Sequence, residues 1–370
     1  MSDRPDSPYP QLKKSHTMAH TGRPWTDHKP PAAAPVWAAI DGFARYSVLC
    51  AAIELDVFDT LAVIGPCTVE IVAGRLAVSA PHLRMLLDSV VALGVLDQCN
   101  DVYELNDTAR RYLVSDGPAC MADLVGVAPG PLRNWSRLAE TVRDGRPAEP
   151  IEDDPESFYI PLVEGTFTTM WRCATRADLR IRYSATPAAR ILDLGAGGAP
   201  WAIAMLIACP LGRAVVNDLP GVLDVAKRKA AEFGVAGRCE WRPGDYHAID
   251  IEAQAYDLVV LGHVCRAEGV DGAGRLIRRA YDALRPGGRV IVADYFCDPE
   301  HKHSPHAVLM GATMMASTLH GATYTTGEFG GWLRGAGFSD LRIIEPIGFQ
   351  QCIVASRRPS MVRGDEQPVP

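Results

Sequence analysis

The chain has 370 residues, 48% of them hydrophobic, and a formal net charge of −7. That length accommodates two domains with real cores, and the acidic balance excludes a protein whose main work is gripping phosphate backbones. Apolar runs are broken by charge or glycine short of a bilayer span, and the N-terminus lacks the apolar core of a secretory signal. The ten cysteines are scattered, with no C-x-x-C pair, so a soluble, cytoplasmic protein with reduced thiols is expected.

Residues 1–35 are rich in proline and polar groups without hydrophobic periodicity, and read as a disordered arm; the tail 359–370 reads the same way. Over 36–114 the pattern turns helical. Ile40, Phe43, Val48, Leu49, Ala52 and Leu55 form a broad apolar helix face. Thr68 opens the next helix, Ser79 and Pro81 start another, and Gly94 ends it before VLDQCNDVYELND, a hairpin wing. Helix, turn, helix and wing make a winged-helix module. Such modules bind DNA or serve in packing and dimerisation; here the second helix offers only His82 and Arg84 as cations, too few for DNA.

Residues 115–185 read as a helical connector with pocket helices, interrupted by RPAEPIEDDPES. The stretch FYIPLVEGTFTTMW gathers Phe158, Phe167, Met170 and Trp171, which suit either core packing or a substrate wall. From 186 to 358 apolar strands alternate with helices: ARILDL, AVVND, CEWRPGD, YDLVVLG, GRVIVADY, and a late pair at LRIIEP and QQCIVA. That alternation predicts an α/β domain with a Rossmann-like, mostly parallel sheet covered by helices on both faces.

The first of these strands runs into ILDLGAGGAP, Ile191–Pro200. The turn reads D-x-G-x-G, lacks the third glycine of a dinucleotide fingerprint, and is followed by no P-loop lysine. An acid, Asp218, comes about twenty residues later, the spacing at which a carboxylate can take a ribose hydroxyl. A nucleoside without a pyrophosphate fits these features, and they resemble the S-adenosylmethionine site of class I methyltransferases. With the winged module, NDLP, GDYH and LRPGGRVIVADY, the chain resembles the two-domain small-molecule O-methyltransferases of bacteria and plants over roughly 36–356.

That resemblance implies cofactor contacts from Gly195, Ala196 and Gly197 at the turn, Asp218 and Leu219 after the second strand, and Asp245 and Tyr246 after the third. Glycine lets backbone approach the cofactor, and the following helix presents amide donors. It also implies a homodimer through the N-terminal domain and no nucleic acid, membrane or metal partner. The helix AVLMGATMMASTL would line the acceptor pocket with Met310, Met314 and Thr318, although such a methionine stripe is equally suited to plain core.

The pattern breaks where the family places a catalytic histidine after the fourth strand: Arg266 stands there, and arginine cannot act as a base. Of the two flanking acids, one is kept as Asp294 and the other falls at Thr323. Three readings remain open. His263, three positions earlier, could act as base; Arg266 could clamp an anionic acceptor; or Arg266 could simply pair with Glu268 or Asp294. His301, His303 and His306 could form a metal site with His263 or be surface loop histidines, and His320 is similarly open. The expectation is a methyltransferase acting on a small aromatic or polycyclic specialised metabolite, O-methylating by family default. C-methylation of an electron-rich carbon and an inactive ligand-sensing regulator are the alternatives.

Overall fold

Pro35 stands in the first turn of the first helix, where its missing N–H costs nothing. From there α1 runs as Ala34–Glu54. The computed structural model describes residues 33–127, 130, 132–347 and 350–358. The expected arm, apart from its last three residues, and the expected tail lie outside these. The described chain divides after Gly126 into two units, so the structure places its division inside the segment expected to be one connector.

The first unit continues with α2 (Val57–Ile64), β1 (Cys67–Thr68), α3 (Val69–Leu76), α4 (Ala80–Ala92), β2 (Leu96–Cys99), β3 (Val102–Leu105), α5 (Asp107–Tyr112) and α6 (Ala122–Val127), within which the boundary falls. Its strands pair antiparallel in the order β1-β3-β2. The wing turns tightly because Asn100 and Asp101 both adopt the left-handed conformation that a two-residue hairpin needs. Ala52, Phe58, Leu61, Val72, Leu87, Val90 and Tyr103 form the core. Arg84 is taken up by Glu70 and Asp101, each at 3.2 Å, and His82 Nδ1 lies 2.8 Å from Ser79 Oγ.

Only the C-terminal half of α1 joins that core. Val36, Trp37, Ile40 and Phe43 are 58–69% exposed. Contrary to the expectation from apolar runs, Ala34–Glu54 is long and apolar enough to cross a membrane by length and composition, despite Asp41 and Arg45 in its middle.

The second unit holds α7 (Leu132–Ser136), α8 (Leu138–Asp144), α9 (Pro155–Ile181), β4 (Arg190–Leu194), α10 (Pro200–Ala208), β5 (Arg213–Asp218), α11 (Pro220–Glu232), β6 (Cys239–Pro243), β7 (Tyr256–Gly262), α12 (Gly269–Ala283), β8 (Leu284–Asp294), α13 (Pro305–Ser317), α14 (Thr326–Ala336), β9 (Phe338–Ile347) and β10 (Gln350–Arg357). The sheet order is β6-β5-β4-β7-β8-β10-β9, with β6, β5, β4, β7 and β8 paired parallel and β10 antiparallel to both of its neighbours. Apolar side chains fill both faces, which is why the strands read as near-continuous hydrophobic runs. Helix α9 belongs to this layer: Phe167, Ala174, Ala177 and Ile181 are buried in one of the two cores. The chain order reverses on either side of β4, and the crevice beyond the carboxyl ends of β4, β5 and β7 is where such sheets bind ligands.

Candidate active site

The glycine turn after β4 has the geometry its sequence demands. Gly195 and Gly197 take φ values of +61° and +58°, which cost other residues steric strain. A Cβ on Gly195 would stand 2.9 Å from Val264, and one on Gly197 3.1 Å from Val163 of α9. The turn is pinned by Asp218 at the end of β5, whose two carboxylate oxygens accept from the Gly197 and Leu219 amides at 2.7 Å. Burial raises the Asp218 carboxyl, and those two amides partly offset the rise. Each oxygen keeps a further lone pair for a ligand hydroxyl. Asp218 is therefore both a candidate ribose acceptor and a fastener of the turn.

Behind it, Asp193 is fully buried and accepts from the Ala202 amide at 3.1 Å in the first turn of α10. Its carboxyl is pushed up to about 7 by burial. Leu219 is half-buried as the residue before α11. Asp245 is exposed, and its Oδ1 takes the His247 amide at 2.8 Å. The Tyr246 ring lies against the Gly195 turn, within 3.4 Å of where a Cβ there would be, and its hydroxyl donates to Glu268. Ala196 is buried, and its amide donates to the Asn217 carbonyl at 2.9 Å. A close-approach turn, a half-buried acid with spare lone pairs and an adjacent aromatic ring are the groups an adenosyl ligand requires. These residues fit S-adenosylmethionine.

Past β7 and β8 the three residues expected to do chemistry come together. Arg266 Nη1 donates to Asp294 Oδ1 at 3.0 Å, and His263 Nδ1 lies 3.6 Å from the same oxygen. Burial alone would raise the Asp294 carboxyl, yet Arg266, His263 and the Tyr295 amide hold it below the ordinary carboxylate range. Both His263 ring nitrogens, Arg266 Nε and Asp294 Oδ2 are buried without a hydrogen-bond partner. His263 also has φ +63°, a left-handed conformation that strains a residue with a Cβ. Its ring lies 5.2 Å from that of Tyr295, over which the Arg266 guanidinium stands at 5.4 Å. Of the pairings open to Arg266, Asp294 is the one realised. Glu268 is engaged elsewhere.

The pocket candidates separate. Phe167 and Trp171 pack on Phe233 with ring centroids 5.8 and 5.0 Å apart, so both join the packing between α9 and α11 rather than forming a free wall. Met170 turns another way, its sulfur accepting from Gln350 Nε2 at 2.8 Å. Met310 is half-buried and Met314 buried on α13. Thr318 is consumed locally: its hydroxyl donates to the Met314 carbonyl and accepts from the Gly321 amide. Thr323, at the position of the missing acid, faces Cys297 Sγ at 3.3 Å.

The histidines of HKHSPH do not act together. His306 packs its ring 5.2 Å from that of Tyr295. His303 approaches Asp298 and Glu300 closely enough to share an ion. However, Asp298 is already occupied by the Lys302, His303 and Ser304 amides. His320 is exposed. One residue escaped sequence reading: Tyr159, on α9, whose phenol is pushed up to about 12 by burial against the opposing field of Arg266, with Asp218 and Glu268 also close enough to act on it. It lay in an aromatic-rich stretch with Pro161 breaking the helical pattern, and nothing singled it out.

Such a sheet with a glycine turn and an acid after its second strand defines a class I methyltransferase site. A family model described as the O-methyltransferase domain matches residues 135–339, and one described as the O-methyltransferase dimerisation domain matches 37–115. A 3-hydroxy-5-methyl-1-naphthoate 3-O-methyltransferase of Streptomyces sahachiroi is 30% identical over 82% of this chain and 88% of its own. The acetylserotonin O-methyltransferase of Bos taurus is 29% identical over 86% of this chain and 95% of its own. The solved structure of human N-acetylserotonin methyltransferase in complex with SAM superposes with a TM-score of 0.76 at 25% identity, covering 90% of this chain and 99% of that one. The chain belongs to the O-methyltransferase family. It is an S-adenosylmethionine-dependent methyltransferase, and it carries the family's dimerisation domain.

Proposed function

We propose that the protein methylates a hydroxyl of a small aromatic or polycyclic metabolite, with His263 as the proton acceptor in place of the histidine the family carries at position 266. One observation carries this: His263 and Arg266 converge on a single oxygen of Asp294, while both imidazole nitrogens are buried without a partner. Asp294 orients the imidazole and supports its protonated form, as a carboxylate does for a catalytic histidine. Arg266, held charged, stabilises the oxyanion that develops as the proton leaves. Asp218 and the glycine turn hold the cofactor, which when bound supplies an electrophilic methyl group on sulfur. The naphthoate relative favours a flat aromatic acceptor, and Met170, Met310 and Met314 are adaptable surfaces for one.

The test is mass detection of a methylated product from a panel of hydroxylated aromatics, followed by pH–rate profiles. The reading expects O-methylation with an ionisation on the acid limb that disappears in His263→Gln. A carbon-methylated product with an unaltered profile in that variant overturns it in favour of an intrinsically nucleophilic carbon. We further propose a cytosolic homodimer formed through the exposed Val36, Trp37, Ile40 and Phe43 of α1. Phe43→Asp should then give a monomer by light scattering, and fractionation checks the compartment.

A further inference from the structure

Glu268 has no role in the chemistry above, yet both of its carboxylate oxygens are engaged beside the site. Its Oε1 accepts from the Tyr246 hydroxyl, and its Oε2 meets His247 Nε2 at 2.6 Å. Those partners lie more than twenty positions away in sequence, on the loop after β6 that carries Asp245. The Tyr246 ring and Val264 both close on the Gly195 turn. Glu268 itself ends the short 3-10 turn Cys265–Ala267, which holds Arg266. A single carboxylate thus ties the loop on the cofactor side to the turn on the acceptor side.

A second, independent feature points the same way. Gly272 lies buried inside α12, where alanine would favour the helix more. It has an ordinary helical φ, so no backbone strain requires it. A Cβ there would stand 2.6 Å from Glu268 Oε2 and 2.9 Å from Glu268 Cβ. The missing methyl leaves the space into which the Glu268 side chain folds back to reach His247.

We propose that Glu268 is a positioning residue that clasps the Asp245–His247 loop to the turn bearing Arg266, and that Gly272 provides the room for the clasp. The proposal rests on the placement of the cofactor beside Tyr246 but not on His263 being the base. Each arm of the clasp is a charge-assisted hydrogen bond in a half-buried setting. Losing it frees the Tyr246 loop from the Gly195 turn and lets the Arg266 turn shift.

The experiment is calorimetric titration of the full-length protein with S-adenosylhomocysteine, with melting temperatures measured in parallel. Binding by the wild-type chain checks the cofactor placement itself. Glu268→Ala should weaken binding about tenfold, the scale of losing charged hydrogen bonds. Glu268→Gln, whose amide can accept from Tyr246 and donate to a neutral His247, should recover most of that affinity. The decisive variant is Gly272→Ala, whose methyl would meet both the Glu268 carboxylate and its Cβ and should weaken binding several-fold. Combined with Glu268→Ala it should add nothing further. Wild-type affinity in Gly272→Ala, or full additivity of the two substitutions, overturns the clasp; so does a Glu268→Gln variant as weak as Glu268→Ala.

Discussion

The two units of this chain treat polar groups in opposite ways. Among the described residues, every buried side-chain nitrogen or oxygen without a partner belongs to the second unit, and none to the first. In the winged unit the groups that might have read DNA are satisfied internally: Arg84 is bridged twice and His82 meets Ser79, and the core Tyr103 donates to Asp88 at 2.5 Å. At the carboxyl edge of the large sheet, by contrast, His263, Arg266 Nε, Asp294 Oδ2 and Gln350 Oε1 are buried unpaired. Leaving a buried polar group unpaired costs on the order of 1–3 kcal/mol. Thr141, Trp171, Trp201, Arg279 and Ser317 also leave a buried polar atom unpaired in this unit, but only at the edge do an imidazole, a guanidinium and a carboxylate do so together, as groups kept for a ligand would. The winged motif supplies shape and an apolar face. The sheet edge supplies chemistry.

The sharpest way to break this contrast is to remove the charge on which the edge is organised. Asp294→Asn should cut turnover by about 10²–10⁴-fold, because the imidazole loses its orienting anion. Asp294→Ala should also destabilise the unit by about 3–5 kcal/mol, since it strands the buried Arg266 guanidinium. The acid side of the stability profile reports the same carboxylate. Its folded-state pKa is lowered, so its contribution is complete above the unfolded value near ~3.9 and is lost as pH falls through the folded value. Asp294→Asn should lack that acid-side loss in a urea titration, and an unchanged profile would show that Arg266 does not hold the carboxylate ionised.

His263→Gln comes next, with an expected loss in kcat of about 10²-fold and no change in cofactor affinity. A shift in S-adenosylhomocysteine binding instead of kcat would place His263 in the cofactor site and remove it from proton transfer.

How far these residues could be read beforehand depends on what fixed them. ILDLGAGGAP and Asp218 were legible because a strand, a turn requiring positive φ and a second strand are local events with local sequence rules. The convergence of His263, Arg266 and Asp294 was not decidable, for it depends on His263 taking a left-handed backbone and on β7 and β8 lying side by side. The choice between Glu268 and Asp294 as the partner of Arg266 was left open, since two residues of separation say nothing about which way a short 3-10 turn aims its side chains; Asp294 takes it. The exposed half of α1 was readable from its apolar excess. By contrast, Phe167 and Trp171 resolved into packing only once Phe233, just past α11, was in view.

Asp193 offers a smaller effect with a definite sign. Burial pushes its carboxyl up to about 7, so the folded state favours the neutral acid and is penalised progressively as pH rises from ~4 to about 7. Asp193→Asn keeps an acceptor for the Ala202 amide and removes the charge. It should raise the melting temperature at pH 8 by about 2–4 °C, the scale of ~1 kcal/mol in a unit of this size, and the gain should shrink toward pH 4. A gain that persists at pH 4 would mean that the substitution acts through packing and not through the proton.

The smallest expected effect lies in the winged unit and tests its half of the contrast. Arg84 is bonded to Glu70 and Asp101, all three on or near the surface, and exposed ion pairs contribute ~0–1 kcal/mol. Arg84→Ala should therefore leave stability, turnover and cofactor affinity close to wild type. It should also leave duplex DNA binding where it began, at no detectable shift in physiological salt, because one cation already spent on two acids cannot displace counterions from a phosphate backbone. A wild-type mobility shift abolished by Arg84→Ala would mean that the bridges open on contact with DNA. The wing would then carry a second recognition function, and the division between a unit that supplies shape and one that supplies chemistry would fail.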